Sequence, residues 1–131
     1  MKKETPSLDA WLKEAKASDN AGKCGMFLFH NGVVRATAKA EVRNGEKAGP
    51  VAGMSFSYDE NKVSIAVENA RSLPGIYYVR VWLNSGELTV GDDLMLVLLG
   101  GDIRPHVMDA LNSLVGELKE NCVTETELYA E

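Results

Sequence analysis

The side chains best suited to bind an anion flank the last helix that the sequence predicts. Arg104 stands in the first turn of that helix, where a cation opposes the helix dipole and is often kept for a ligand or a partner. Gly100 and Gly101 precede it and could present backbone N–H groups to an anion, although a tight strand-to-helix turn is the simpler explanation. Lys119 lies near the helix end, where a lysine is favourable for the dipole alone. We therefore predict that an oxyanion such as sulfate or phosphate binds near Arg104.

Arg104 and Lys119 are fifteen residues apart in the sequence. On one helix that spacing corresponds to about 22 Å, so the two cations cannot share a pocket through that helix alone. They could meet only if a second copy of the chain brings its Lys119 to Arg104 of the first.

The histidines and cysteines form no recognisable catalytic or metal-binding pattern. His30 and His106 have no Cys, Ser or carboxylate at a nucleophile spacing, so each is interpreted as an ordinary core or surface residue. Cys24 and Cys122 lie far apart, which predicts two reduced, buried thiols rather than a disulfide or a zinc site. Walker, GxGxxG, HExxH and GxSxG motifs are absent. We predict no metal and no cofactor.

Length and composition predict a single domain over residues 1–131, with a mass of 14.2 kDa and 45% hydrophobic residues. The net charge of −5 disfavours a nucleic-acid or anionic-membrane surface but allows a local basic pocket. The charged N-terminus has no apolar stretch behind it, so a cytoplasmic protein is expected.

The elements that must position these residues follow from hydrophobic periodicity. Helices are predicted over residues 8–17, with Ser7 as N-cap, over 59–71 and over 104–121. Strands are predicted over residues 24–30, 33–42, 54–58, 76–83, 87–90 and 94–99. Asn31-Gly32 predicts a hairpin turn between the first two strands, although the alanines of residues 36–42 also suit a helix. The tail, residues 123–131, could be a last strand or a frayed end.

This order of elements predicts an α+β fold with a largely antiparallel sheet and helices on one side. The all-apolar run over residues 94–99 indicates a central strand covered on both faces. Tyr77, Tyr78 and Trp82 lie on one predicted strand, and a chain this small cannot easily cover all of its aromatic strands. A homodimer is therefore expected.

Residues 24–122 resemble the large, catalytic subunit of molybdopterin synthase, so the chain is identified as a MoaE-like protein. The resemblance is strongest over GELTVGDD, residues 86–93, followed by an apolar strand, the pair Ile103-Arg104 and a helix that ends Leu118-Lys119. Upstream, Arg35 matches the arginine that follows the family's first strand, with Arg43 as a rival for the same match.

The resemblance implies an α/β-hammerhead fold and a homodimer. It also implies that the C-terminal Gly-Gly tail of a small ubiquitin-like sulfur carrier enters the large subunit as a thiocarboxylate. Sulfur then passes to cyclic pyranopterin monophosphate. Arg35 and Arg104 are the implied substrate-phosphate ligands, and Lys119 is the implied catalytic residue.

The sequence departs from the family pattern at two positions. Ile103 stands where the family usually has histidine, and Thr126 stands at the place of a second functional lysine. If that lysine is the only defect, Thr126→Lys is expected to raise activity. The alternatives are a non-catalytic binding or regulatory relative and a different enzyme on the same scaffold.

Overall fold

The computed structural model describes residues 1–39, 45 and 50–129. Its α-helices are α1 (Leu8–Lys16), α2 (Glu60–Arg71) and α3 (Arg104–Glu117). Its strands are β1 (Met26–Val33), β2 (Val51–Tyr58), β3 (Ile76–Leu83), β4 (Gly86–Thr89), β5 (Asp93–Gly101) and β6 (Val123–Tyr129). A 3₁₀ turn spans Ala21–Lys23, and a π-helical turn, Leu118–Cys122, joins α3 to β6.

The described strands form two antiparallel three-stranded sheets, ordered β1-β5-β3 and β4-β2-β6. The predicted α+β class with antiparallel pairing is confirmed. The tail is the strand β6 rather than a frayed end, and it pairs with β2.

The central strand β5 is buried on both faces, as its apolar run predicts. Leu96 and Leu98 pack against Trp11 and Ala15 of α1. The alternate residues of β5 belong to the main core, which also contains side chains of α2 and α3. The helices therefore lie on both faces of this sheet, and the prediction of helices on one side is wrong. A strand that is apolar on both faces must be covered on both.

The first strand does not turn at Asn31-Gly32. β1 continues to Val33, with Asn31 opposite Leu96 and Gly32 opposite Met95 of β5. The Asn31 amide Nδ2 donates to the Met95 carbonyl at 3.2 Å, so this side chain supports the pairing. The predicted turn is wrong because the partner of β1 is β5, far along the chain, and not the next segment.

The strand predicted over residues 33–42 is likewise absent from residues 34–39. Residues 40–42 lie outside the described part of the chain. Within residues 34–39 the alternation of small residues does not produce a strand, because a period of two in alanines is also compatible with other backbone conformations.

Gly100 and Gly101 belong to β5 and not to the turn before α3. A Cβ on Gly100 would lie 2.7 Å from the Phe27 ring, and one on Gly101 would lie 2.6 Å from Val107 Cγ2. Glycine therefore allows β1 and α3 to approach the end of β5 closely. Both the anion-binding interpretation and the turn interpretation of this pair are wrong, since the turn comes after it.

Asn84 is the polar residue most deeply buried in the described chain, with 2% of its surface exposed. Its Oδ1 accepts from the N–H of Lys3 at 2.7 Å and of Ser85 at 2.8 Å, while its Nδ2 donates to the Asp93 carbonyl at 2.8 Å. One side chain thus joins the N-terminal segment, the turn before β4 and the start of β5.

We predict that Asn84→Ala lowers the free energy of unfolding by about 1–3 kcal/mol, because it leaves backbone groups unpaired at a buried site. Urea denaturation measures the change. Asn61→Ala, at an exposed position of α2, is the control and should change stability by no more than about 0.5 kcal/mol. Equal urea midpoints for the two variants would contradict the role given to Asn84.

Candidate functional site

A cavity of about 470 Å³ opens where the segment after β1 meets β6 and the π-helical turn. Both sheets and the end of the last helix contribute to its wall. Its lining residues are Val33, Arg35, Thr37, Lys39, Met54, Leu94, Lys119, Val123, Glu125 and Glu127. It therefore brings together two of the three predicted site residues, Arg35 and Lys119.

Lys119 is carried by the π-helical turn, whose residues Leu118 and Cys122 are buried. These two anchors fix the turn against the core while Lys119 remains about one-third exposed. Its Nζ lies 3.3 Å from Glu125 Oε1. Single π-helical turns are rare in proteins, and those that occur are often found at functional sites.

The residues of β6 alternate between the cavity and solvent. Val123, Glu125 and Glu127 line the cavity, whereas Thr124 and Thr126 are exposed. Pairing with β2 shows the same division, since Glu127 lies opposite the buried Met54 and Thr126 lies opposite the exposed Ser55. Position 126 thus faces away from the cavity, and acidic residues occupy the two positions of β6 on either side that face it.

The segment after β1 is held in place by backbone hydrogen bonds. Val34 donates to the Asp92 carbonyl and accepts from the Gly91 N–H, each at 2.9 Å. Beyond it, Arg35 Nε donates to the Thr37 carbonyl at 3.0 Å, and the Lys39 N–H donates to Glu127 Oε2 at 2.9 Å. The Arg35 guanidinium is therefore set at the cavity by a short, anchored segment. The rival Arg43 lies outside the described residues.

The described lining carries three cations, Arg35, Lys39 and Lys119, against two carboxylates, Glu125 and Glu127. His30 lies on β1 nearby, and burial, with a smaller contribution from the Lys119 charge, lowers its pKa. The imidazole is consequently neutral at neutral pH and leaves the positive balance of the lining unchanged. Such a lining can bind one anionic group while offering carboxylates to hydrogen-bond donors.

Sequence reasoning missed Lys39, Glu125 and Glu127 as lining residues. The period-two spacing of Glu125 and Glu127 was the available signal, because alternate residues of a strand share a face. Lys39 carried no such signal, since its place depends on the path of the segment after β1.

Arg104 lies apart from this cavity. It is exposed at the start of α3, and the cavity is formed beyond the other end of that helix. Within one chain the structure does not bring Arg104 and Lys119 together, in agreement with their spacing on the helix.

His106, also near the start of α3, has a carboxylate partner that the sequence interpretation overlooked. Its Nδ1 lies 2.7 Å from Asp102 Oδ1, and this hydrogen bond is the main cause that lowers the pKa of Asp102. Asp102 Oδ1 also accepts from the Ile103 N–H at 2.6 Å. The pair thus satisfies backbone and side-chain groups at the helix start.

The two cysteines are free thiols. Cys122 is buried as predicted, but Cys24 is only half-buried because it lies in the connection before β1. Burial raises the pKa of both thiols, so both are protonated at neutral pH.

Across residues 1–39, 45 and 50–129, no three His, Cys, Asp or Glu side chains are grouped to hold a metal. The same part of the chain contains no helix that is long and apolar enough to span a membrane.

Known structures share this fold at low sequence identity. Molybdopterin synthase from Staphylococcus aureus superposes with a TM-score of 0.74 at 15% identity, covering 98% of this chain and 88% of that one. The molybdopterin biosynthesis MoaE protein from Burkholderia ambifaria gives 0.69 at 19% identity, covering 97% and 82%. One chain of a complex of subunits 1 and 2 of the molybdopterin-converting factor from Helicobacter pylori gives 0.64 at 18% identity, covering 95% and 81%.

The sequence itself is 26% identical over 100 residues to an uncharacterized protein of Methanocaldococcus jannaschii, which covers 76% of this chain and 81% of the relative. The family model described as MoaE protein matches residues 1–121. The chain therefore belongs to the MoaE protein family and to molybdenum cofactor biosynthesis, as its sequence predicts.

Proposed function

We propose that the chain is the large subunit of a molybdopterin synthase, which passes sulfur from a thiocarboxylate on a small partner to cyclic pyranopterin monophosphate. The observation that carries this proposal is the convergence of Arg35 and Lys119 on one cavity. Membership of the family supplies the reaction, and the cavity supplies a place in this chain where it can occur.

Arg35 is assigned to the substrate phosphate. A guanidinium offers several N–H donors in a planar fork that matches phosphate oxygens. Only Nε of Arg35 donates to the Thr37 carbonyl among the described contacts. Its terminal amino groups are then the ones that bind the phosphate.

Lys119 is assigned to the sulfur transfer itself. Its ammonium group polarises the carbonyl of the thiocarboxylate and stabilises negative charge that develops there. Partial burial in the cavity strengthens this effect, since screening by water is weaker than at an open surface. The anchors Leu118 and Cys122 keep the amine in a fixed position.

The proposed partner is a small ubiquitin-like subunit that ends in Gly-Gly. The Helicobacter pylori complex, which joins subunits 1 and 2 of a molybdopterin-converting factor, supports a two-subunit assembly. A Gly-Gly tail has no side chains, so it is narrow enough to enter a cavity of about 470 Å³.

The proposal includes a homodimer in which Arg104 of a second copy completes the phosphate site. The fourteen residues of α3 correspond to about 21 Å, and Arg104 is exposed where a second chain can use it. The aromatic residues of β3 support a homodimer less strongly than the sequence suggested, because Tyr78 and Trp82 pack in the cluster formed with α1. Tyr77 remains 38% exposed.

We predict that Lys119→Ala lowers molybdopterin formation by about 100-fold or more, because removal of one group that stabilises transition-state charge typically costs that much. The assay supplies purified partner thiocarboxylate and cyclic pyranopterin monophosphate. Lys13→Ala, on the exposed face of α1, is the control and should retain wild-type turnover. Turnover that survives Lys119→Ala would remove this lysine from the mechanism.

We predict that Thr126→Lys leaves turnover unchanged. This prediction differs from the expectation drawn from the sequence, because residue 126 is on the exposed face of β6 and a lysine there would point away from the cavity. The same assay measures it. A rise in activity would show that position 126 does reach the reacting groups.

We predict a dimer in solution. Light scattering at micromolar concentration should give twice the chain mass of 14.2 kDa. A single species at the chain mass would contradict the assignment of Arg104 to a shared site.

A further inference from the structure

The ion pair between Lys119 and Glu125 has the geometry of a weak contact. One carboxylate oxygen lies 3.3 Å from Nζ, whereas strong charge-assisted N–H···O bonds are about 2.7–2.9 Å long. Lys119 is 35% exposed and Glu125 17% exposed. Partly exposed pairs with one long contact stabilise a fold little, so the lysine can exchange this partner for another.

The two acidic residues of the cavity are held differently. Glu127 accepts from the Lys39 N–H at 2.9 Å and from the Tyr129 hydroxyl at 3.3 Å. Within the described part of the chain, Glu125 makes a hydrogen bond or ion pair with Lys119 alone. Glu127 is thus a fixed part of the wall, whereas rotation of the Glu125 side chain breaks only its contact with Lys119 among these hydrogen bonds and ion pairs.

The backbone beneath Glu125 does not have to move for this exchange. Residue 125 pairs with Phe56 in the middle of the β2–β6 ladder, and Phe56 is 1% exposed. A change at Glu125 is therefore a side-chain rotation on a fixed strand.

We propose that Glu125 is an internal competitor for Lys119, so that an oxyanion, carboxylate or phosphate, binds this lysine by displacing it. This inference rests on the proposed function, because it concerns the same cavity and the same lysine. The incoming oxyanion gains Arg35 as a second cation on the cavity wall, which Glu125 does not contact in the described structure. The gain favours the ligand over the internal carboxylate.

Glu125 then determines which ligands engage the lysine. A neutral ligand leaves the Lys119–Glu125 pair intact, whereas an anionic one replaces it. The two anionic groups of the proposed reaction, the phosphate of the pterin and the carboxyl-type terminus of the partner tail, share this chemistry.

The test is a binding titration of the full chain, followed by the backbone amide NMR signals of residues that line the cavity. The probes are inorganic phosphate, a short peptide that ends in Gly-Gly with a free carboxylate, and the same peptide amidated. Glu125→Gln should bind the phosphate or the free-carboxylate peptide about two- to fivefold more tightly than wild type, the range expected for removal of a weak competing ion pair. The amidated peptide should show no gain.

Glu120→Gln is the matched control, because it removes one negative charge beside Lys119 from an exposed position outside the cavity lining. It should give less gain than Glu125→Gln. In a Lys119→Met background, Glu125→Gln should lose its advantage over Glu120→Gln, since there is no ammonium left to release.

A gain for phosphate alone assigns the displacing group to the pterin, and a gain for the peptide alone assigns it to the partner tail. Unchanged or weaker binding of both anions by Glu125→Gln overturns the proposal, as does a gain equal to that of Glu120→Gln. Failure of anion binding in every variant also overturns it. These titrations need no turnover, so loss of the proposed enzymatic function would leave a measured displacement standing.

Discussion

Burial of β5 on both faces is the constraint on which the rest of this structure depends. The strand carries Leu96 and Leu98 toward α1 and its alternate residues toward the main core. It must therefore lie between two edge strands, β1 and β3, and between helical layers. At about 25 cal/mol per Å² of apolar surface removed from water, burial of such a strand is a major stabilising contribution.

The position of β5 also determines where the cavity forms. β1 pairs with β5 and ends at Val33, so the segment after β1, which carries Arg35, begins beside Leu94. α3 packs on the same sheet and ends in the π-helical turn that carries Lys119. Arg35 and Lys119 line one cavity because the segment after β1 and the π-helical turn both lie close to the second sheet, whose strand β6 supplies the acidic residues.

Much of the fold could be predicted from local patterns, because the strongest signals were apolar periodicity and capping. Ser7 accepts from the Ala10 N–H and Asp59 accepts from the Asn61 N–H, as N-caps should. The strand β3 has the predicted bounds. The hairpin turn predicted at Asn31-Gly32 is wrong because the dipeptide expresses only a local preference for a turn. Pairing of β1 with the distant strand β5 outweighs that preference.

The site was only partly accessible from sequence. Arg35 and Lys119 came from a family resemblance, and the spacing on α3 correctly kept Arg104 away from Lys119 within one chain. The facing of β6 could not be read from the sequence, because it depends on the register in which β6 pairs with the distant strand β2. Glu125 and Glu127 line the cavity, whereas Thr126, at the place of the family's second lysine, does not.

The most direct test of the central claim is a crystal structure of the protein with cyclic pyranopterin monophosphate bound. The phosphate should lie within hydrogen-bonding distance of the Arg35 guanidinium, with the pterin in the cavity beside Lys119. A pterin bound elsewhere on the chain, with the cavity between the Arg35 segment and β6 unused, would contradict the assignment of this cavity as the site of sulfur transfer.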